Sequence, residues 1–561
     1  MLILILAIAS ILRLIWLGEI PNAIGGDELT YILTAKSIFL TGHDITGLWS
    51  PLSAFIFRYP PNTLPQAELP YFLLTPIIGL ANFSLLSAKV TYACLSILIV
   101  LFIYLISKRL FNKEVGIIAA GISAINPWFI FIGRTVYEST PATLFYLIAI
   151  YILLITKKWK ILLAMPFFLL GFYSYIATKL IFLPIILTTV LYAYFAVNKK
   201  QFAKQYLLLF LFSLIFVGFF VFAFKLNPGP SRLSEILTPD NSDIAKEVDL
   251  VRKNSIQNSL TNVLENKYTI FARIISTKLM KSFSFDYLFT NGDEMFPLGR
   301  HGLFYILDAL FLLFGFAVCF AKQKKVFLFL SGLAVIGTIP HLFHSANVSN
   351  FSTHLALMFP FLIIFIALGI WQTINLFKFK IVAISLISFF YLLLVLNFSN
   401  IYFFQFPLLG HFDFQFRVLS NYVYKAQNQN IIVYSSKSGD IFRKYIFYNN
   451  LLNKNTKNQI TAIFKNGNYG FGKVKFVSCN IFDPKKTTDL IIYDTQCGNG
   501  PDASHLTIPR LADGGESFQI YNDTLCKGVG LNRYPQNLSI SDFEMESLSR
   551  ENFCQTFITA L

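Results

Sequence analysis

Long apolar runs separated by short polar linkers fill the first 400 residues. The opening run, MLILILAIASILRLIWLG, carries one charge, Arg13. A bilayer span needs roughly 17 to 25 predominantly apolar residues. Eleven runs are candidates, near 2–18, 86–106, 115–132, 141–156, 160–177, 180–197, 206–225, 303–321, 326–340, 353–372 and 380–398, of which 141–156 is short. No small-x-small cleavage signal follows the first run, so it reads as a retained span. The segment 19–85 is polar and holds Pro60, Pro61, Pro65 and Pro70; DELTYILTAKSIFL within it has helical spacing of apolar residues and predicts an amphipathic interfacial helix.

From about residue 411 the pattern changes. NIIVYSS, KVKFVS, DLIIYD and SFQIYN are short β-rich runs separated by Gly, Asn and Asp turns, and FRVLSNYVYKA and IFRKYIFYNN have helical periodicity. The expected organisation is a polytopic α-helical membrane domain over 1–400, with about eleven transmembrane helices, and a small α/β domain over 401–561. Four of the six cysteines lie in that second domain; pairing sequence neighbours gives Cys479–Cys497 and Cys526–Cys554. Cys94 and Cys319 fall in spans and read as core residues.

Charge sets the orientation. The net charge is +16, but the basic residues gather in alternate linkers, at 108–114, 157–160, 199–204, 322–325 and 378–380, with fourteen bases against one acid, Glu114. This is the positive-inside pattern, not a nucleic-acid surface. It predicts a cytoplasmic N-terminus and an extracytoplasmic tail. All seven histidines then fall on the outer side.

Chemistry is also expected there. Asp27 and Glu28 stand side by side just after the first span, where a charge next to hydrocarbon is costly and commonly functional. From position alone, Asp27 reads equally as a helix N-cap. Lys89, Arg134, Lys179 and Arg300 border apolar runs on the same side, as do snorkelling side chains. Arg134 and Glu138 are four apart and would share a helix face. Asp293 reads as a turn residue or a functional one. His341 and His344, three apart, offer two metal ligands without an evident third.

The ordered motifs P…GGDELTY…TGHDITG, ELPYFLLTPIIGLANFSLLSAKVTYACLS, AINPWFIFIGRTVYESTPA, GFYSYIATKLIFLP and FDYLFTNGDEMFPLGRHGLFY resemble the C-type glycosyltransferase (GT-C) superfamily. Within it the chain is similar to protein O-mannosyltransferases and lipid A aminoarabinose transferases. The resemblance implies a polyprenyl-phosphate sugar donor, a hydroxyl acceptor on a lipid, glycan or protein, and inverting transfer outside the membrane. It implies Asp27 as the base, Glu28 as its neighbour in catalysis or binding, and Lys89, Arg134, Lys179 and Arg300 around the donor phosphate. Tyr31, Asp44, Glu138, Tyr175, Asp293, His301 and His354 are the further substrate-binding or structural positions. Lys89, Lys179 and His354 stand where relatives often carry arginine; lysine keeps the charge but loses the bidentate fork. The resemblance names no certain cofactor, and a divalent metal at His341 and His344 is the weaker reading. Two other readings share the outline: a transporter or flippase of lipid-linked glycans, and a polymerase or ligase joining them. A transporter would set its ionisable residues near the midplane of repeated halves, whereas here they crowd one face.

Overall fold

The computed structural model describes residues 1–48, 50, 67–195, 202–226, 241–256, 258–294, 296, 298–299, 301–344, 351–409, 414–484, 487–498, 500–501, 504–532 and 538–560. Among them six helical segments are long and apolar enough to cross a membrane: Leu85–Leu110, Ala177–Phe195, Ala203–Ala223, Lys324–Leu342, Phe359–Leu376 and Lys380–Leu409. Leu2–Leu14, Leu69–Leu80 and Ser139–Ile155 are apolar but shorter. This is an integral membrane protein.

In chain order the first helices are α1 Leu2–Leu14, α2 Gly26–Thr41, α3 Leu69–Leu80, α4 Leu85–Leu110, α5 Lys113–Ile125, α6 Pro127–Ile132, α7 Ser139–Ile155, α8 Ala164–Ser174, α9 Phe182–Phe195 and α10 Ala203–Leu226. Local chemistry sets several ends. The Ser84 hydroxyl accepts from Ser87 N at 3.1 Å to start α4, and Lys108 and Arg109 lie in its last turn, at the negative end of the helix dipole. The run expected to span 115–132 is split. Asn126 Oδ1 accepts from Phe129 N at 3.1 Å and Pro127 starts a new helix, so α5 ends before α6 begins. The run at 160–177 opens as a 3₁₀ turn, Lys158–Leu163, before α8.

Helices Ile306–Lys322 and Phe359–Leu376 cross through glycine. A Cβ on Gly315 would lie 1.9 Å from Phe365 O, and one on Gly369 2.0 Å from Phe311 O, so only glycine lets these backbones meet. Two expectations change. α2 does not lie bare at an interface: its stretch Glu28–Ser37 is buried except Thr30, covered by α3 and helix Ser438–Tyr448. Cys94 is exposed on α4, while Cys319 is buried.

The tail holds a seven-stranded sheet in the order β2-β3-β1-β4-β6-β5-β7. β1 (Ile431–Tyr434) pairs in parallel with β3 (Val474–Val477) and β4 (Leu490–Asp494). β2 (Gly470–Phe471), β5 (Leu506–Pro509), β6 (Glu516–Tyr521) and β7 (Thr559–Ala560) pair antiparallel. The fully buried pattern of β4 is that of a central strand. Both disulfides, Cys479–Cys497 and Cys526–Cys554, are present with Cα separations of 5.5 and 5.6 Å.

The tail docks on the loop that follows α1. Arg417 donates to Asn22 O at 2.7 Å, to Phe543 O at 2.7 Å, and to both Glu546 oxygens at 2.9 and 2.6 Å. Tyr448 OH accepts from Ile24 N at 3.1 Å, and Asn450 Oδ1 from Phe83 N at 3.0 Å. Lys457 Nζ donates to Leu40 O at 3.0 Å. Burial would raise the Glu546 carboxyl, but the Arg417 charge and hydrogen bonds outweigh it and hold it below the usual range.

Candidate active site

The loop between α1 and α2 and the turn 133–138 between α6 and α7 meet at the carboxylates singled out in the sequence. Gly25 is the N-cap of α2, so Asp27 and Glu28 occupy its first turn rather than its cap. Their fates differ. Glu28 is 2% exposed; its Oε2 accepts from Gly25 N at 2.7 Å and its Oε1 from Val136 N at 2.6 Å. One carboxylate therefore caps the helix and ties the 133–138 turn to it. Burial pushes the Glu28 carboxyl up, against the two backbone bonds and the Lys89 charge. Asp27 is exposed on the adjoining face of the same turn.

Lys89 is wholly buried, and its Nζ donates to Pro21 O at 2.6 Å, on the loop that carries the acids. Arg134 is also wholly buried. It donates to Leu12 O at 3.1 Å, Trp16 O at 3.2 Å and Ile20 O at 2.8 Å, beneath the rings of Tyr402 and Phe403. The expected shared face with Glu138 does not form, because 133–138 is a turn and the i, i+4 spacing applies only within a helix. Arg134 instead closes the carbonyl end of α1.

Tyr137 shows how the acids converge. Burial raises its pKa well above normal, and the charges of Glu28, Asp27, Glu138 and Asp293 raise it further. Charges carried on three separate segments thus act on one phenol. Asp293 accepts from Ser352 N, from Phe296 N at 2.8 Å, from Ser352 Oγ at 3.2 Å and from Tyr287 OH at 3.3 Å. Burial outweighs these bonds and pushes its carboxyl up to about 7.

Lys179 lies at a second locus. Its Nζ meets Glu68 Oε1 at 2.7 Å, with 6% and 1% of the two side chains exposed, and sits 4.9 to 5.6 Å from the Phe172, Phe220 and Tyr173 rings. The loci are joined through Tyr31, whose OH accepts from Ala67 N at 3.2 Å, next to Glu68. Beside them the Tyr175 ring lies 5.9 Å from His354, which lies 4.7 Å from His344.

Other expected positions lie apart. Asp44 closes its own turn, accepting from Thr46 Oγ1 at 2.6 Å and Leu48 N at 3.0 Å. His301 packs on Phe398 and Tyr305, with Nδ1 2.7 Å from Gly302 O. Arg300 lies outside the described residues. His341 is buried, and no group of three potential metal ligands is found among the described residues. Sequence reasoning missed Glu68 and Tyr137 as members. Glu68 carries the signal that drew attention to Asp27, an acid at the edge of an apolar run; Tyr137 carries none.

Residues 66–223 match the family described as dolichyl-phosphate-mannose-protein mannosyltransferase. No curated protein matches the chain in sequence. Among solved structures it is similar to ArnT from Cupriavidus metallidurans bound to undecaprenyl phosphate, at 12% identity and TM-score 0.48, covering 94% of this chain and 99% of that one. It is also similar to the Archaeoglobus fulgidus oligosaccharyltransferase in its apo form, at 14% identity and TM-score 0.43, covering 88% and 69%. A third likeness is to AglB from the same organism in complex with an inhibitory peptide and a dolichol-phosphate, at 12% identity and TM-score 0.42, covering 95% and 74%. The sequence match covers residues 66–223, and over that stretch the chain is similar to the C-type (GT-C) integral membrane glycosyltransferases.

Proposed function

We propose that this protein moves a sugar from a polyprenyl-phosphate donor to a hydroxyl acceptor on the extracytoplasmic side of the membrane, with Asp27 as general base. The observation that carries the reading is the division of labour between two adjacent acids. Glu28 is fixed by two backbone N–H groups, while Asp27 presents its carboxylate on the exposed side of the same helical turn. The family match supports the donor class, since its description names a dolichyl-phosphate sugar.

In the proposed step Asp27 takes the acceptor proton as the acceptor oxygen bonds to the anomeric carbon. The bond from that carbon to the phosphate oxygen breaks, and the lipid phosphate leaves with the electron pair, inverting the centre. Lys89 and Arg134 direct their N–H groups at loop and α1 carbonyls, so they act on the leaving phosphate through their field rather than by contact. Lys179 is held in place by Glu68 and serves the same charge from the other locus. Tyr31, Glu138, Tyr175, Asp293 and His354 shape the walls. The tail, reading as extracytoplasmic, covers the loop that carries Asp27.

The test is Asp27→Asn, assayed for transfer from a synthetic polyprenyl-phosphate sugar. Removing a general base costs about 10² to 10⁴ in rate. The expected variant folds normally, since the cap belongs to Glu28, and loses activity on that scale. Turnover at the wild-type rate would sink the assignment.

A further inference from the structure

Between the tail and the outer ends of α1 and α4 lies a cavity of about 600 Å³. None of the Asp27 cluster lines it. Its floor is apolar: Leu14, Trp16 and Leu17 from the end of α1, and Leu85 and Leu86 from the start of α4. Leu14, Trp16 and Leu86 are 39%, 38% and 50% exposed, where the apolar runs give way to polar chain. Its roof is polar, with Glu19 from the exit loop and Arg417, Tyr448, Glu544, Glu546 and Ser547 from the tail.

Trp16 is held at the lip at a conformational cost. Its φ is 50°, in the left-handed region that a bulky residue seldom adopts. The Arg134 bond to its carbonyl and ring contacts with Phe403 and Phe404 at 5.6 and 6.0 Å keep it there. The indole is thereby presented as an interfacial aromatic, with one side apolar and one wet.

We propose that this cavity binds an amphiphile whose headgroup is an uncharged sugar. The charge balance selects the class. Three carboxylates face one guanidinium, and that guanidinium already forks onto Glu546. An anionic headgroup would meet net repulsion. Carboxylates only accept hydrogen bonds, guanidinium only donates, and Tyr448 and Ser547 do both. Hydroxyl groups, which also do both, match this mixed set. Acyl chains lie on the leucine floor and continue into the bilayer. Gly18 and Glu19 wall the cavity, so the lipid would rest against the start of the loop that leads to Asp27. The inference concerns binding alone and stands whether or not Asp27 performs transfer.

The probes are monoglucosyldiacylglycerol and phosphatidylglycerol at equal concentration. They are offered to the purified full-length protein, and retention is read by native mass spectrometry. The expected result is a preference for the glycolipid of about fivefold or more, the scale of a single hydrogen bond. Ser547→Trp, which fills the cavity from an exposed position, and Glu544→Gln, which replaces one exposed acceptor oxygen with a donor, should each abolish that preference without changing the melting temperature. Equal retention, a preference for phosphatidylglycerol, retention of neither lipid, or an undiminished preference in Ser547→Trp each overturns the proposal.

Discussion

The membrane half and the tail treat charge in opposite ways. In the membrane half Arg13, Lys89 and Arg134 are wholly buried and bond to backbone carbonyls, and Lys179 has one deep partner, Glu68. In the tail the pairs Arg510–Asp513 and Arg443–Asp440 span three residues at 3.0 and 3.4 Å, with every side chain more than a third exposed. Surface pairs are screened and contribute little. Buried charges contribute little net stability as pairs but a great deal when broken, because the survivor stays desolvated. The membrane half therefore keeps its costly basic groups close to the candidate site, while the tail buries Arg417, Lys444 and Asp494 and leaves its other named pairs at the surface. Arg417–Glu546, at 3% and 39% exposure, stands between the two regimes and at the seam between the two regions.

Substitutions can break this contrast in order of size. Glu68→Ala should have the largest effect on stability, about 3 to 5 kcal/mol, because it leaves the Lys179 ammonium buried among rings. Thermal unfolding in detergent measures it, and Glu68→Ala with Lys179→Met should recover most of the loss. A double variant no better than the single one would show that the pair is not the cause. Glu28→Ala comes next. It strands the Gly25 and Val136 N–H groups, at about 1 to 3 kcal/mol each. Glu28→Gln keeps one acceptor and should fall between that variant and the native protein on the same unfolding curve.

Asp293 sharpens the comparison through pH. Its folded pKa of about 7 lies above that of an unfolded aspartate, about 3.9. Between those values the folded state holds the proton and the unfolded state does not, so this group makes stability fall as pH rises, with no further change above about 7. Asp293→Asn should flatten that part of a melting-temperature profile; an unaltered slope would assign it to other groups. Arg510→Ala in the tail marks the small end: its melting temperature should match the native protein's. A clear drop would mean that surface pairs in the tail matter more than their exposure allows.

Much of the fold was legible in the sequence. Apolar length marked the helices, short β-rich runs between turn residues marked β1, β3, β4 and β6, and the two disulfides joined neighbouring cysteines. The break at Asn126–Pro127 was written in cap chemistry but lay inside a continuous apolar run, and span length masked it. β2 and β7 escaped because two-residue edge strands carry little periodicity. In the site, the cost of charge beside hydrocarbon pointed to Asp27, Glu28, Lys89 and Lys179, but it could not say which charges face a ligand and which face a carbonyl.

By itself, the sequence determined that the chain enters the membrane repeatedly, that its tail carries short β-rich runs between helices, and that acids and bases gather at the ends of its apolar runs. Burial of apolar length and alternation of side chains are local properties, so a one-dimensional pattern encodes them. Only the tertiary structure decided that Glu28 is a strut and Asp27 is presented, that Arg134 closes α1 rather than pairing with Glu138, and that Glu68 holds Lys179. Those assignments depend on which polar groups residues more than 100 positions away bring within 3 Å, and hydrogen bonds of that range leave no periodic trace in the chain.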